Sequence, residues 1–338
     1  MSRLTIGVDV GGTFTDLFVL DEASGQAAII KVPSTRGQEA VGFMNGMKQL
    51  ASHQPRASIA DVASIVHGTT VGTNALLERK VGRTGLITTR GFRDVLEMRR
   101  RDRPHTWGLR GDFTPIIERG LRLEGDERVL ADGTLHTPVD EAQVDQAIDQ
   151  LLERGCEAIC IFFINGYANP VNEQKALQRV RSRWPNDFVT AATEVLPEIR
   201  EFERASTAAL NAALQPVVGR YLRQLHDDLM GQGFGGDLLI VQSNGGVMSR
   251  ETAAQRPVRT ALSGPAAGVM ACAAIASAAG HANVITGDIG GTSFDVSLIT
   301  EGQASMAAQT SIEFGLVVRS PMIQIETIGA GGGSIAQV

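Results

Sequence analysis

One eight-residue pattern occurs twice in this 338-residue chain and constrains its fold more than any other feature. Residues 9–16 and residues 288–295 both read Asp-x-Gly-Gly-Thr-x-x-Asp. Each copy follows an apolar β-branched run and leads into another, so each predicts a β-hairpin with a Gly-Gly turn. A glycine pair permits positive φ and lets backbone N–H groups approach an anion such as phosphate. Two matching hairpins therefore predict two similar half-folds that clamp one polyphosphate.

The residue types within the repeat predict how the polyphosphate is held. The first Asp of each copy can hold a hydrated Mg²⁺, and the Thr can donate to a phosphate oxygen. The second Asp of each copy, Asp16 or Asp295, is expected to tie down the turn. The predicted catalytic residues are Asp9, Asp288, Thr13 and Thr292, of which Asp9 and Asp288 are also the predicted metal ligands. The predicted phosphate-binding residues are Gly11, Gly12, Thr13, Gly290, Gly291 and Thr292.

Two phosphate hairpins facing each other are typical of the actin, Hsp70 and sugar-kinase superfamily, which this chain resembles. The stretch 329–334 is similar to the adenosine loop of that superfamily, where side chains must be absent for a nucleotide to lie on the backbone. A flexible linker is the alternative. The resemblance implies an α/β, actin-like fold with ribonuclease H-like lobes of mixed sheets flanked by helices, and it implies ATP as the ligand. The nucleotide-binding residues implied in the loop are Gly331, Gly332, Gly333 and Ser334.

Two further polar segments predict a substrate pocket. Residues 68–74 bring three threonines and an asparagine to the start of a predicted helix, where free N–H groups and hydroxyls favour an anion or a polar substrate. N-capping accounts for one threonine but not for three. The buried strand predicted at 237–241 ends in another polar turn. The predicted substrate residues are His67, Thr69, Thr70, Thr73, Asn74, Ser243 and Asn244.

Five segments narrow the resemblance to the hydantoinase A/5-oxoprolinase family. They run in family order along the whole chain: residues 67–75, 85–94, 201–207, 242–247 and 262–268. The family includes ATP-dependent hydantoinases, 5-oxoprolinases, lactamases and the nucleotide-binding subunits of acetone and acetophenone carboxylases. The resemblance implies an ATP-dependent enzyme that phosphorylates a carbonyl oxygen of a cyclic amide (a hydantoin, oxoproline or lactam), with a ketone as the alternative substrate. It also implies a hydantoinase B-type partner subunit or domain, and an oligomer.

The order of predicted elements divides the chain into three regions. Residues 1–190 would form the first actin-like lobe, with a loop-rich insertion at about 96–140 that contains a hairpin around Asp132. Residues 191–280 would complete that lobe with a long helix, a strand and an Ala- and Gly-rich helix between the lobes. The long helix is predicted at 206–229, where apolar residues recur at helical spacing. Residues 281–338 would begin a second lobe that is incomplete, because they are fewer than a domain needs. We therefore expect the N-terminal half of a longer protein.

Composition limits the classes of function. A formal charge of −6 argues against a nucleic-acid binder. The basic run at 99–103 fits a solvated loop or an anion contact equally well. No run of about 18 apolar residues exists, so no membrane span is expected. Three cysteines without a Cys-x-x-Cys spacing fit a reducing cytoplasm and argue against structural zinc.

The repeat has three other readings. A reductase-activating ATPase of this fold would carry cluster-binding cysteines, and this chain lacks them. A sugar kinase of the same superfamily would require an Asp base for a hydroxyl acceptor, and the sequence does not single one out. A non-enzymatic actin-like filament or chaperone module would use the same nucleotide clamp without any substrate.

Overall fold

The computed structural model describes residues 3–11, 13–35, 37–53, 58–102, 113–290 and 293–335. Its strands, in chain order, are β1 (Leu4–Val10), β2 (Phe14–Asp21), β3 (Ala27–Pro33), β4 (Val62–Thr69), β5 (Thr84–Thr89), β6 (Arg122–Gly125), β7 (Arg128–Val129), β8 (Leu135–Thr137), β9 (Ala158–Phe162), β10 (Val189–Ala191), β11 (Asp237–Val241), β12 (Val247–Ser249), β13 (Val284–Ile289), β14 (Phe294–Thr300), β15 (Gln303–Ala304), β16 (Met306–Ala307), β17 (Thr310–Glu313), β18 (Leu316–Val318), β19 (Met322–Ile323) and β20 (Glu326–Ile328). Its α-helices are α1 (Glu39–Lys48), α2 (Leu50–His53), α3 (Val71–Leu77), α4 (Val95–Met98), α5 (Glu141–Glu153), α6 (Val171–Arg183), α7 (Ala192–Val195), α8 (Glu201–Gly231), α9 (Arg250–Gln255) and α10 (Ser263–Ala278).

The first lobe is organised around a six-stranded mixed sheet with the order β3-β2-β1-β4-β11-β12. The first three strands form an antiparallel meander, whereas β1, β4 and β11 run parallel to one another. The order β3-β2-β1-β4-β11 is that of the predicted ribonuclease H-like lobe. Because parallel strands end at one edge of a sheet, the segments that follow β1, β4 and β11 meet at that edge.

The alternation of side chains along β1 separates the core from the site. Leu4, Ile6, Val8 and Val10 are at most 3% exposed and belong to one apolar cluster with Phe43 of α1. Successive side chains of a strand point to opposite faces, so Asp9 faces away from this apolar layer. The sequence of β1 therefore places a carboxylate at the end of a strand whose other face is fully buried.

Residues 84–191 form a separate sheet of four parallel strands in the order β10-β9-β5-β6. Helices α5, α6 and α8 contact its strands. The insertion predicted at about 96–140 lies within this larger region, and the predicted hairpin around Asp132 is confirmed as β7–β8. Apolar runs such as 158–162 are buried in any sheet, so their periodicity does not reveal which sheet they join.

Helix α8 is 31 residues long and connects the two sheets. Its first half carries small residues, including Ala205, Ala208 and Ala212, which are buried in the core of the four-stranded sheet. Its second half carries leucines such as Leu214 and Leu225, which are buried in the core of the six-stranded sheet. The helix predicted at 206–229 is confirmed, and it begins five residues earlier than predicted.

The second predicted hairpin is formed by β13 and β14, which belong to a smaller sheet with β15 and β20. Helix α10 contacts both β4 and β13, so it lies between the two sheets. The β17–β18 hairpin returns to the first lobe, where Ser206 Oγ donates to the carbonyl oxygen of Val317 at 2.8 Å. Within the ranges given above, no helix combines the length and apolar character needed to cross a membrane.

Strand β13 is less covered than its counterpart β1. Strand β1 lies between β2 and β4, whereas β13 pairs only with β14 in the described part of the chain. Ile285 and Ile289 of β13 are 74% and 64% exposed, while their counterparts in the repeat, Ile6 and Val10, are at most 1% exposed. Within the described residues, one edge of β13 and two of its apolar side chains are therefore uncovered.

Candidate nucleotide and substrate site

The two repeats fold into hairpins with the same register and the same closing hydrogen bond. In the first copy Asp9 lies opposite Asp16, and the Gly11 N–H donates to the Phe14 carbonyl oxygen at 3.0 Å. In the second copy Asp288 lies opposite Asp295, and the Gly290 N–H donates to the Ser293 carbonyl oxygen at 2.9 Å. Both predicted hairpins are confirmed. Gly12, Gly291 and Thr292 lie outside the described residues.

The sequence predicted that the second Asp of each copy ties down its own turn. The structure instead pairs each of these residues with a neighbouring strand. Asp16 instead accepts two hydrogen bonds from Lys31 Nζ on β3, at 2.9 and 3.0 Å. Asp295 accepts from Thr327 Oγ1 on β20 at 2.6 Å. The physical reason is position: these residues lie past the turn, where a side chain reaches the neighbouring strand. Each therefore ties its hairpin to the third strand of its sheet.

Two residues without side chains, Gly264 and Gly68, lie next to the carboxylate of Asp9. A Cβ added to Gly264 would lie 3.2 Å from Asp9 Oδ1, and one added to Gly68 would lie 3.5 Å from the same atom. The start of α10 is held there by Ser263, whose Oγ donates to the Thr69 carbonyl oxygen at 3.0 Å and accepts from the Thr69 N–H at 3.2 Å. The backbone at Gly68 and at Gly264 therefore lies close to one side of the Asp9 carboxylate.

The electrostatic surroundings of Asp9 favour a bound cation. Burial raises the pKa of Asp9 to about 6, and repulsion from Asp16 and from Asp288 adds to the effect, while Lys31 opposes it. The repulsion from Asp288 indicates that the two hairpins bring their first carboxylates near each other. The described residues contain no cluster of three or more His, Cys, Asp or Glu that could hold a metal. Two carboxylates completed by water and phosphate oxygens are a typical Mg²⁺ environment, so the donor set fits that ion.

The predicted nucleotide loop lies directly against the second hairpin. The Gly332 N–H donates to the Gly290 carbonyl oxygen at 2.9 Å, and Ser334 Oγ accepts from the Gly331 N–H at 3.0 Å. A cavity of about 230 Å³ between α10 and this hairpin is lined by Asp288 and Asp295 among others. The second hairpin therefore contacts the loop through Gly290 and shares the cavity with α10.

His67 does not belong to a substrate surface, contrary to the prediction. It is fully buried, its Nδ1 lies 3.2 Å from the Val8 carbonyl oxygen, and its Nε2 is 2.8 Å from the Tyr221 hydroxyl. Burial lowers the pKa of His67 to about 4, so the ring is neutral in the core. His67 lies near the end of β4, so the strand determines the direction of its side chain, which points into the core.

The remaining predicted substrate residues fall into two groups. Three of them are used within the protein. Thr69 is fully buried, and two others form hydrogen bonds to the backbone: Thr73 Oγ1 accepts from the Leu262 N–H, and Ser243 Oγ donates to the Arg259 carbonyl oxygen. The other three, Thr70, Asn74 and Asn244, are at least partly exposed. Thr70 Oγ1 nevertheless donates to the Val10 carbonyl oxygen at 3.2 Å and accepts from Asn74 Nδ2 at 3.3 Å. The sheet brings these three to the same edge as the first phosphate turn.

Comparison with known sequences identifies the family. The hydantoinase/oxoprolinase N-terminal region matches residues 5–184, and the hydantoinase/oxoprolinase region matches residues 204–338. The chain belongs to the hydantoinase/oxoprolinase family. Membership in this family confirms the resemblance carried by the five sequence segments.

Relatives in the hydantoinase/oxoprolinase family include amidases and carboxylases. Caprolactamase subunit alpha from Pseudomonas jessenii is 37% identical over 98% of this chain and 48% of its own length. Acetophenone carboxylase gamma subunit from Aromatoleum aromaticum is 32% identical over 99% of this chain and 47% of its own length. The crystal structure of the ATP-dependent caprolactamase superposes with a TM-score of 0.88, over 99% of this chain and 49% of that one. The chain thus spans about half the length of these curated relatives, and their structure confirms the α/β fold class.

Sequence reasoning missed Gly264, Gly68 and Lys31 as parts of the site. Gly264 and Gly68 stand inside quoted family segments, so a signal existed, but only the fold shows that both face Asp9. Lys31 carries no local signal, because it reaches the site through strand pairing with Asp16.

Proposed function

We propose that this chain carries the nucleotide site of an ATP-dependent enzyme that opens a cyclic amide by phosphorylating its carbonyl oxygen. The observation that carries the proposal is the pair of matched hairpins, whose first carboxylates, Asp9 and Asp288, lie near enough to repel each other. A relative with 37% identity is named a caprolactamase subunit, and its solved structure is described as ATP-dependent. Both relatives and geometry favour an enzyme over a filament module.

Each part of the site has a proposed role. Asp9 and Asp288 hold Mg²⁺, directly or through water, and the ion neutralises phosphate charge. The two turns cradle the phosphates with Gly11, Gly12, Thr13, Gly290, Gly291 and Thr292. Residues 331–334 support the nucleotide through their backbone. Thr70, Asn74 and Asn244 face the substrate.

The proposed chemistry follows from the poor leaving ability of an amide oxygen. Transfer of the γ-phosphoryl group to the carbonyl oxygen turns that oxygen into part of a phosphate ester. Water then adds to the carbon, and the ring C–N bond breaks with protonation of the nitrogen, which leaves an acyl phosphate. A second water adds to the same carbon, and phosphate leaves with the original oxygen as the carboxylate forms. The acceptor oxygen carries no proton, so the transfer step needs no general base. A partner subunit would complete the hydrolysis.

A ketone carboxylase is the second candidate. The specific observation in its favour is the 32% identity to an acetophenone carboxylase subunit. In that reaction the same phosphate clamp would activate a carbonyl oxygen toward carboxylation. ATP turnover measured across a hydantoin, an oxoproline, a lactam and a ketone separates the two. We also propose an oligomeric assembly and a cytoplasmic location, the latter because all three cysteines are free thiols.

The fate of one oxygen atom tests the proposed mechanism. With the partner subunit present, a cyclic amide labelled with heavy oxygen at the carbonyl should transfer its label to inorganic phosphate. Mass spectrometry of the released phosphate measures the transfer, and unlabelled substrate in heavy-oxygen water is the control. Label that appears only in the product carboxylate would show that ATP serves another step, such as a conformational change.

A methyl group added at Gly264 should impair the site without unfolding the protein. Gly264→Ala places a Cβ 3.2 Å from Asp9 Oδ1, so either the carboxylate or α10 must shift. We expect ATP turnover to fall about 10- to 100-fold, since misplacement of a catalytic group by a fraction of an ångström is costly. The matched control is Gly231→Ala, where the added methyl contacts nothing within 4 Å. Equal turnover in both variants would remove Gly264 from the site.

A further inference from the structure

The residue before α10 has a backbone conformation that leucine rarely adopts. Leu262 has a φ of 60° and a ψ of 25°, which lies in the left-handed region. This region is disfavoured for residues other than glycine, because the Cβ crowds the following carbonyl oxygen. Such a conformation persists only where surrounding contacts hold it, and residues of this kind cluster at functional sites. The start of α10 is therefore fixed by contacts from outside the helix.

Two hydroxyl groups provide these contacts. Thr73 Oγ1 accepts from the Leu262 N–H at 3.0 Å. Ser263 Oγ donates to the Thr69 carbonyl oxygen at 3.0 Å and accepts from the Thr69 N–H at 3.2 Å. Thr73 is 9% exposed and Ser263 is fully buried, so both groups bond out of contact with bulk water. The start of α10 and the segment at the end of β4 thus form one hydrogen-bonded unit.

The same segment supports Asp9. Strand β4 pairs with β1 so that Gly68 lies opposite Asp9. In the next residue of β1, the Val10 carbonyl oxygen accepts from Thr70 Oγ1 at 3.2 Å. A Cβ added to Gly68 would lie 3.5 Å from Asp9 Oδ1 and also 3.5 Å from the Cα of Gly264 in α10. The segment at the end of β4 therefore contacts both the strand of Asp9 and the start of α10.

Helix α10 continues from this unit to the second hairpin. Its residues Ala266, Val269 and Ala273 belong to one apolar cluster with Ile299 of β14. The helix also lines the cavity of about 230 Å³ that Asp288 lines from the other side. Apolar packing thus attaches α10 to the sheet that carries Asp288, whereas the two hydroxyl groups attach it to the sheet that carries Asp9.

The position of α10 consequently links the two proposed metal ligands. We propose that Thr73 and Ser263 are positioning residues that fix the separation of Asp9 and Asp288, an inference that rests on the proposed function. Two carboxylates that share one hydrated Mg²⁺ need a defined separation, because this ion demands near-ideal octahedral geometry. A shift of the start of α10 changes that separation without removing either carboxylate.

The Mg²⁺-dependent part of nucleotide binding tests this role. The affinity for a non-hydrolysable ATP analogue is measured by calorimetry with Mg²⁺ and with a chelator, and the ratio of the two affinities is compared between variants. Thr73→Val keeps the shape of the side chain but removes the acceptor of the Leu262 N–H. The ratio should fall about 10-fold, which corresponds to one hydrogen bond. Thr73→Ser keeps the acceptor and should retain the ratio of the wild type.

A second variant and a direct measurement support the same test. Ser263→Ala removes the other hydroxyl group and should also lower the ratio, whether or not Thr73→Val folds. Hydrogen exchange at the Leu262 amide should be faster in Thr73→Val than in the wild type, because that N–H has lost its partner. In Thr73→Ser the exchange should remain slow.

Thr84→Val is the matched control, because it removes a buried threonine hydroxyl from the other sheet. Thr84 is 3% exposed, and its Oγ1 donates to the Gly82 carbonyl oxygen at 2.8 Å. The variant should lower the free energy of unfolding and leave the ratio of affinities unchanged. If Thr84→Val lowers the ratio as much as Thr73→Val does, the effect is general destabilisation and the assignment to Thr73 is wrong.

The remaining outcomes distinguish this inference from the proposed function. If Thr73→Val and Ser263→Ala keep the wild-type ratio, the positioning role is refuted and the nucleotide site stands. A ratio in Thr73→Ser as low as in Thr73→Val would show that the hydroxyl group is not the contact that matters. If the wild type binds the analogue equally with and without Mg²⁺, or not at all, the proposed function fails, and this inference fails with it.

Discussion

Asp9→Asn is expected to reduce ATP turnover by about 100-fold or more, with an unchanged far-ultraviolet circular dichroism spectrum. The substitution keeps the size of the side chain but removes the negative charge that Asp288 repels. Charge stabilisation is a large part of phosphoryl transfer, so losing one carboxylate of two should be severe. Full turnover in the variant would refute the assignment of the two hairpins.

The pH dependence of the wild type provides a second measure of the same residue. The pKa of Asp9 is raised to about 6, so the carboxylate is protonated below that pH and ionised above it. Only the ionised form can hold a cation. The affinity for Mg²⁺ with nucleotide should therefore rise as the pH increases through about 6. A pH-independent affinity between pH 5 and 7 would contradict this expectation.

Asp16→Asn is the matched control, because it changes the opposite residue of the same hairpin. Repulsion from Asp16 raises the pKa of Asp9, while Lys31, which Asp16 now neutralises, lowers it. Removing the Asp16 charge strengthens the effect of Lys31 and eliminates the repulsion, so both changes lower the pKa of Asp9. In Asp16→Asn the rise of Mg²⁺ affinity with pH should therefore occur at a lower pH than in the wild type. ATP turnover at neutral pH should be retained.

Arg204→Met is expected to lower the free energy of unfolding by about 3–5 kcal/mol. Arg204 and Glu173 are both 1% exposed, with Nη1 and Oε2 separated by 3.9 Å. Glu173 also accepts from the N–H groups of Phe163 and Thr193, at 3.0 and 2.6 Å, which fixes the segments after β9 and β10. Removing the arginine leaves a buried carboxylate without its countercharge. Urea denaturation followed by tryptophan fluorescence measures the change.

Another arginine of the same helix provides the control for this prediction. Arg220 pairs with Glu157 at 2.8 Å, but the two side chains are 52% and 46% exposed. Arg220→Met should therefore change the free energy of unfolding by no more than about 1 kcal/mol. Adding Glu173→Gln to Arg204→Met should recover part of the loss, because the buried charge is then gone. Equal costs for Arg204→Met and Arg220→Met would show that burial of the first pair carries no energetic weight.

The parts of the fold that were predictable are those whose signal is local. Gly-Gly turns between β-branched runs specified both hairpins, and a run of apolar positions at helical spacing specified α8. The parallel sheet at 84–191 was not predictable in the same way, because its strands are short buried runs whose partners lie far along the chain. Strand pairing is a long-range choice that single-sequence periodicity does not encode.

Accessibility was the least predictable property of the candidate site. His67, Thr69 and Ser243 are polar residues in polar segments, yet the structure uses them as internal ties between strands and turns. Thr70 and Asn244 stand one residue further along and are at least partly exposed. A shift of one residue reverses the side to which a strand residue points, so small errors at a strand end exchange ligand contacts for core contacts.

One edge of β13 is available for strand pairing. Ile285 and Ile289 flank a row of backbone N–H and C=O groups without strand partners in the described ranges. Such an edge is a template for strand addition by another polypeptide segment. A strand added at β13 would satisfy those backbone groups and extend the small sheet by one strand.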